Sequence, residues 1–230
     1  MSKSPNVAPN VAVVLSGCGV FDGAEIHESV FTLYALDKRG AHYQCFAPDI
    51  DQAHVVNHLT GNIAQGESRN VLVESARIAR GQIKPLSEFD VQDFDAIAFP
   101  GGFGAAKNLS SFAFDGADCT VDPDVERALK DMVAANKPIA ALCITPAVVA
   151  KVLGGATVTI GQDEGTAAAI EAMGAHHTPT DHTGVIIDPK YKLVTAPCYM
   201  LNSTISQIAD GADAAMEALL AIVENGVAMR

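Results

Sequence analysis

The chain has 230 residues, of which 49% are hydrophobic and 18% are charged, so it can form a sizeable core and is too poor in charge for a disordered chain. Its 27 acidic and 15 basic side chains leave a formal net charge of -12, which repels a phosphate backbone and an anionic membrane surface. We therefore expect neither nucleic acid nor a membrane as a partner.

The start of the chain and its cysteines indicate the compartment. The first residues lack the apolar segment of a signal peptide, and no stretch of the sequence is long enough to span a bilayer. The five cysteines form no Cys-x-x-Cys pair, which is typical of free thiols in a reducing compartment rather than of disulfides or structural zinc. The sequence thus predicts a cytoplasmic protein with no metal site.

Short apolar runs alternate with helical periodicity along the chain. The predicted strands are 11–16, 42–47, 95–99 and 138–142, followed by a hairpin-like pair at 185–188 and 193–195. The predicted helices are 24–38, 69–80, 124–136, 145–150, 164–173 and 203–223. In the first of these helices, one face is apolar and carries Ile26, Val30, Leu33 and Leu36.

This alternation predicts an α/β protein with a mostly parallel central sheet covered by helices on both faces, in one domain spanning 1–230. Ligands in such folds bind beyond the carboxyl ends of the strands. Three loops that follow predicted strands, 16–28, 100–108 and 143–146, are therefore candidates for one site.

Cys143 follows an apolar strand and stands just before Thr145 and Pro146, which open a helix. A cysteine on such a turn is a thiol nucleophile elbow, and the free N–H groups and positive end of the new helix favour the thiolate. A free cysteine in an apolar run is otherwise a small buried hydrophobe. Two further motifs favour the nucleophile.

The first motif is the glycine-rich loop after the strand at 95–99, which includes Gly101 and Gly102. Glycines let backbone N–H groups approach a ligand closely, so the N–H groups of Gly102 and Ile144 could form an oxyanion hole. An ordinary tight turn is the alternative.

The second motif places Glu25 and Glu28 three residues apart in the first turn of a helix. Carboxylates there are favoured by the helix dipole alone. If the loop borders Cys143, however, a buried and partly protonated glutamate could hydrogen-bond the thiolate and transfer protons. Cys18 either lines the same pocket or packs in the core, and Asn108 fixes either its own loop or a substrate hydroxyl.

Several segments together carry a resemblance to a known family. They are G-A-E-x-x-E at 23–28, P-G-G-F-G-A-A-K-N-L-S at 100–110, A-L-C at 141–143, and the runs 15–20, 57–61 and 194–200. With them the chain resembles the PfpI-type branch of the class I glutamine amidotransferase-like superfamily. Within that branch it is similar to the enhancing-lycopene-biosynthesis group (ElbB), a small glyoxalase with mitochondrial relatives.

The resemblance implies a flavodoxin-like three-layer sandwich, no cofactor and a homodimer. It also implies that Cys143 is the nucleophile, that Glu28 touches its sulfur with Glu25 one turn earlier, and that Gly102 and Ile144 form the anion hole. The chain departs from protease-like members, which place a histidine where it has Ile144, so peptidase activity is not expected. Glutaminase activity is not expected either, because the late His-x-Glu pair is missing and His176, His177 and His182 are the only later histidines.

The resulting functional hypothesis is a cofactor-free glyoxalase that converts glyoxal or methylglyoxal to glycolate or lactate through a hemithioacetal on Cys143. The same attack would act on a glycated protein as a deglycase. The chemistry needs a thiol of low pKa, so we expect Cys143 and Glu28 to share a proton near neutrality, with the sulfur ionised. The alternative is a thiol-based redox sensor or regulatory binding protein on the same scaffold with little turnover.

Overall fold

A computed structural model describes residues 8–225, so the two ends of the predicted 1–230 domain, residues 1–7 and 226–230, lie outside the described residues. The strands are β1 Asn10–Val14, β2 His42–Ala47, β3 Val56–Asn57, β4 Asn62–Ile63, β5 Ile83–Pro85, β6 Ala96–Phe99, β7 Ile139–Leu142, β8 Thr157–Val158, β9 His176–His177, β10 Ile186–Asp188 and β11 Leu193–Ala196. The helices are α1 Ile26–Lys38, α2 Val71–Ile78, α3 Phe103–Lys107, α4 Phe112–Asp115, α5 Pro123–Ala134, α6 Thr145–Leu153, α7 Glu164–Ala172 and α8 Ile205–Asn225.

A seven-stranded sheet runs through the centre in the order β10-β11-β7-β6-β1-β2-β5. Each neighbouring pair is parallel except the β10–β11 hairpin. The strands β7, β6 and β1 occupy the middle of the sheet, and β6 and β7 are buried along their whole length. The α/β class, the mostly parallel sheet and the hairpin are therefore confirmed.

Two apolar cores lie on opposite faces of the sheet, because successive residues of a strand point to opposite sides. In β1, Ala12 and Val14 pack with residues of α5 and α6, whereas Val11 and Val13 pack with residues of α1 and α8. The result is a three-layer sandwich. Within residues 8–225, no helix is both long enough and apolar enough to cross a membrane.

Helix α1 buries a different face from the one that its apolar residues predict. Ile26 and Val30 are 43% and 47% exposed, and of the predicted face only Leu36 is fully buried. The helix packs along α8, where Arg39 forms a two-pronged ion pair with Asp213. This orientation turns the polar side of α1 inward. The buried residues of α1 are Glu28, Ser29, Thr32, Ala35 and Leu36.

Candidate active site

The predicted elbow lies at the carboxyl end of β7. Cys143 has φ of +60°, in the left-handed region that non-glycine residues rarely adopt. Its N–H donates to the carbonyl of Ala196 at 2.9 Å, and the Thr145 hydroxyl donates to the carbonyl of Pro100 at 3.0 Å. These bonds tie the turn to both neighbouring strands, so the strained conformation is imposed by the sheet.

The Glu28 carboxyl is the fixed partner of this thiol. Glu28 is 0% exposed and hydrogen-bonds the Cys143 side chain. The N–H of Gly101 donates to Glu28 Oε2 at 2.9 Å, and the N–H of Tyr199 donates to Oε1 at 3.1 Å. Glu25 caps the same helix, because its Oε2 accepts the N–H of Glu28 at 2.7 Å. Each oxygen of the Glu28 carboxyl is therefore held in place by the backbone.

The two glycines of the loop after β6 allow the backbone to pass directly beside the thiol. A Cβ on Gly101 would lie 2.2 Å from Cys143 Cβ and 2.7 Å from Glu28 Oε2. Gly102 has φ of +101°, and a Cβ there would lie 2.3 Å from the backbone nitrogen of Glu25. The N–H groups of Gly102 and Ile144 both donate to the Cys143 sulfur. The loop thus brings two backbone donors to the reacting atom.

Burial shifts the pKa values of both groups upward. The pKa of Glu28 rises to about 7, mainly because the buried carboxylate loses its hydration, while the N–H groups that bind it oppose the rise. The pKa of Cys143 also rises well above its ordinary value, first through burial and then through the facing Glu28 charge; the N–H groups of Gly102 and Ile144 only partly offset this. The expected low thiol pKa is thus wrong, whereas the expected protonation of Glu28 near neutrality agrees with its raised pKa.

The direction of these shifts changes the role of Glu28. The pair loses its first proton near pH 7 from the Glu28 carboxyl, and the thiol keeps the second because its own pKa is raised well above the ordinary value. The thiolate therefore forms when Glu28 accepts the Cys143 proton, rather than persisting on its own at the helix end.

A cavity of about 400 Å³ opens beside the sulfur. Cys143, Glu25, Gly102 and Ile144 line it, so the structure brings these four predicted residues together. Glu28 and Gly101 lie behind the sulfur and contact it without lining the cavity. The other lining residues are Val20, Phe103, Ala106, Phe112, Ala113, Asp163, Thr166, Tyr199 and Met200.

Two of the predicted pocket residues lie elsewhere. The Asn108 amide donates to the carbonyls of Ser16 and Asp22, both at 2.9 Å, and accepts the N–H of Ala53 at 2.9 Å. It therefore fixes its surrounding loops, and both N–H groups of its amide are already used in doing so. Cys18 is absent from the cavity lining, and burial together with the charge of Glu74 in α2 raises its pKa.

The sequence did not predict Tyr199 as a site residue, yet both its backbone N–H and its side chain contact residues of the site. Its N–H binds Glu28, and its hydroxyl lies 2.8 Å from Nδ1 of His27. Its position in the sequence could have identified it, because Tyr199 follows β11, and β11 is the parallel neighbour of β7. The later histidines do not take this role, since none of them lines the cavity and His182 pairs with Ser203 at 2.7 Å.

No metal site accompanies the thiol in the described part of the chain. Across residues 8–225, no group of three His, Cys, Asp or Glu side chains is arranged to hold a metal ion. The reactive groups of the candidate site are a thiol, a carboxyl and backbone N–H donors, which suit nucleophilic addition to a carbonyl group.

Comparison with known proteins identifies relatives over nearly the whole chain. No protein-family model matches. The human protein named "Glutamine amidotransferase-like class 1 domain-containing protein 3, mitochondrial" is 49% identical over 225 residues, covering 94% of this chain and 84% of that protein. The rat "ES1 protein homolog, mitochondrial" is 47% identical over 228 residues, covering 95% and 86%. Because both relatives are named mitochondrial, the predicted cytoplasmic location is wrong.

A solved structure agrees with these relatives. The crystal structure of an isoprenoid biosynthesis protein with an amidotransferase-like domain from Ehrlichia chaffeensis superposes with a TM-score of 0.86 at 36% identity, covering 93% of this chain and 98% of that one. This match confirms the flavodoxin-like fold. The chain belongs to the class I glutamine amidotransferase-like family.

Proposed function

We propose that the protein is a cofactor-independent glyoxalase that converts glyoxal to glycolate or methylglyoxal to lactate. The observation that supports this most directly is the buried Cys143–Glu28 pair, with a carboxyl whose pKa is about 7 in hydrogen-bond contact with the thiol. A general base is most effective when its pKa is near the working pH. The similarity of the sequence motifs to a glyoxalase group supports the same reaction.

Addition to the aldehyde begins when Glu28 accepts the Cys143 proton and the sulfur bonds to the aldehyde carbon. The carbonyl oxygen becomes an alkoxide beside the sulfur, where the N–H groups of Gly102 and Ile144 donate. Two such donors stabilise the developing charge, and removing one typically costs about 10²–10³ in rate. Proton transfer from Glu28 to the alkoxide completes the hemithioacetal.

The second stage moves a hydrogen between the two carbons without a change in overall oxidation state. The Glu28 carboxylate removes the proton from the thiol-bearing carbon to give an enediolate. The carboxyl then returns this proton to the neighbouring carbon while the hydroxyl proton moves to the adjacent oxygen, which gives a thioester with a hydroxyl on the neighbouring carbon. Water attacks the thioester, the carbon–sulfur bond breaks, and the hydroxy acid leaves with the thiol restored. Glu28 is the one buried proton carrier among the described residues that contacts the sulfur.

The test is product formation from methylglyoxal by purified protein. We expect lactate to accumulate far beyond one equivalent per protein and to disappear in Cys143→Ala. Cys18→Ser is the matched control, because this thiol lies outside the cavity and its loss should leave turnover unchanged. Full turnover in Cys143→Ala, or none in the wild type, would contradict the proposal.

A redox-sensing role is the second candidate, and the position of a second thiol favours it. Burial raises the pKa of the Cys198 thiol well above its ordinary value and the Cys143 charge adds to this rise, so a second buried thiol adjoins the elbow. Peroxide would oxidise Cys143 to a sulfenic acid, which could condense with the Cys198 thiol and release water. Mass spectrometry after mild peroxide treatment would reveal this disulfide, and a sensor would show no sustained lactate formation.

A further inference from the structure

The cavity beside Cys143 is much larger than the substrates proposed above. A small dicarbonyl such as methylglyoxal occupies roughly 100 Å³, about the share of three water molecules in the liquid. The cavity holds about 400 Å³. Methylglyoxal would therefore leave most of it filled with water, in a space whose walls are largely apolar.

Apart from Ile144, the apolar residues that line the cavity number six, and two of these are aromatic. They comprise Val20, Phe103, Ala106, Phe112, Ala113 and Met200. Phe103 is 48% exposed, so part of its ring is open to solvent at the cavity. An apolar substituent on the substrate would cover this surface and displace water from it.

The charged groups of the cavity are all acidic. Glu25 and Asp163 line it, and none of its lining residues in the described chain is Lys, Arg or His. Hydrogen bonds from Thr166 lower the pKa of Asp163, so this carboxylate is ionised at neutral pH. Outside the lining, the Lys107 ammonium donates to the carbonyl of Phe21 and lies 5.2 Å from the centre of the Phe103 ring, and the His27 ring pairs with Tyr199. One ammonium near the cavity therefore stands against two carboxyl groups that line it.

We propose that the preferred substrate is an uncharged carbonyl compound with an apolar body several times larger than methylglyoxal, such as an aryl or long-chain 2-oxoaldehyde, and that the cavity rejects anionic ones. The apolar walls would hold the body while the aldehyde lies at the sulfur. Glu25, Asp163 and the anionic Cys143–Glu28 pair would repel a carboxylate. This inference rests on the proposed function, because it names the substrate class of the same thiol.

Turnover of three aldehydes tests the inference with the reaction itself. With Cys143→Ala as the blank for initial rates, kcat/KM for phenylglyoxal should exceed that for methylglyoxal by about tenfold or more, as expected when an aromatic ring becomes buried. 4-Carboxyphenylglyoxal has the same body and one added charge, and it should be about tenfold or more slower than phenylglyoxal. Equal rates for the two aryl compounds, or a preference for methylglyoxal, would overturn the inference.

Alkylation of Cys143 tests the proposed selectivity of the cavity without requiring any turnover. Rates with N-phenyliodoacetamide, iodoacetamide and iodoacetate are followed by mass spectrometry of the Cys143 peptide and divided by the rates with glutathione. The phenyl reagent should be enriched and iodoacetate disfavoured, each by about tenfold relative to iodoacetamide. If this pattern holds while no aldehyde is turned over, the proposed function fails and the cavity's selectivity stands.

Two variants connect the selectivity to its source. Glu25→Gln and Asp163→Asn each remove one charge and keep an oxygen that can still accept the capping N–H of Glu28 or Thr166. Each should raise the relative iodoacetate rate by about two- to tenfold, with little change for the phenyl reagent. An unchanged iodoacetate rate in the double variant, or flat selectivity in the wild type, would overturn the acidic cavity as the cause.

Discussion

Replacing Glu28 by glutamine should make the stability of the protein less dependent on pH. The carboxyl has a pKa of about 7 in the folded protein against an ordinary value of 4.5. As pH rises through this window, the unfolded chain releases the proton while the folded chain retains it, so folding stability falls. The difference of 2.5 between these pKa values, at about 1.4 kcal/mol for each, makes the total loss roughly 3–4 kcal/mol above pH 7.

The stability of Glu28→Gln should therefore rise relative to the wild type as pH increases. A constant offset is also expected, because one of the two backbone N–H groups that bind the carboxyl would then face an amide NH₂, at a cost of about 1–3 kcal/mol. This offset does not depend on pH, so the slope isolates the carboxyl. The direction of this pH dependence is set by burial, because burial raises rather than lowers the pKa of Glu28.

The assay is urea unfolding at two pH values kept away from the isoelectric point near 4.8. Between about pH 5.5 and 8.5, the difference in unfolding free energy between variant and wild type should grow by about 2 kcal/mol. Glu164→Gln, which removes an exposed carboxylate from α7, controls for net charge. The proposed environment of Glu28 would be refuted if the unfolding free energy of Glu28→Gln, relative to the wild type, changed with pH no more than that of Glu164→Gln.

Three further outcomes follow from the same geometry. Turnover should rise through about pH 7 as the Cys143–Glu28 pair loses its first proton, and a pH–rate profile would show this limb missing in Glu28→Gln. Gly101→Ala should reduce turnover by more than about 10², because the added Cβ would overlap the Cys143 and Glu28 side chains. Gly40→Ala is the control: a Cβ there has no atom within 4 Å, so the substitution should cost only about 1–2 kcal/mol of backbone strain, measured by urea unfolding. Asn108→Ala should lower the unfolding free energy by about 2–4 kcal/mol through three lost hydrogen bonds, whereas a substrate-binding role would instead raise KM at unchanged stability.

The parts of the fold that could be predicted are those with a long local pattern. Strand β2 is bounded by a glycine turn and Pro48, and its predicted range of 42–47 is the observed one. The two-residue strands β3, β4, β8 and β9 are too short to show a period of two, so they escaped prediction. Strand β5 escaped because Lys84 and Pro85 interrupt its apolar character, which is tolerated only at the sheet edge it occupies.

Some parts of the candidate site could likewise be predicted from the sequence, and others could not. The thiol, the glutamates and the glycine loop each carry a local signal, and the rule that ligands bind at the carboxyl ends of parallel strands brings them together. The Tyr199 N–H reaches Glu28 across 171 residues, and no local pattern specifies that pairing. Burial is equally non-local. A glutamate at a helix start is normally solvated, and the pKa of Glu28 is raised mainly because the folded chain buries its carboxyl completely.

Helix α1 buries a face that its sequence pattern does not predict, and this face carries residues of the candidate site. Its apolar periodicity predicts that Ile26 and Val30 face inward, yet both are exposed while Glu28 and Ser29 are buried. Burying polar groups is tolerable only when they are hydrogen-bonded, and here the Glu28 carboxyl accepts two N–H groups while the Ser29 hydroxyl donates to the Glu25 carbonyl at 2.6 Å. The orientation of the helix therefore places the Glu28 carboxyl beside Cys143 and leaves Ile26 and Val30 exposed. The local conflict between sequence pattern and burial coincides with the candidate site, as expected where function competes with packing.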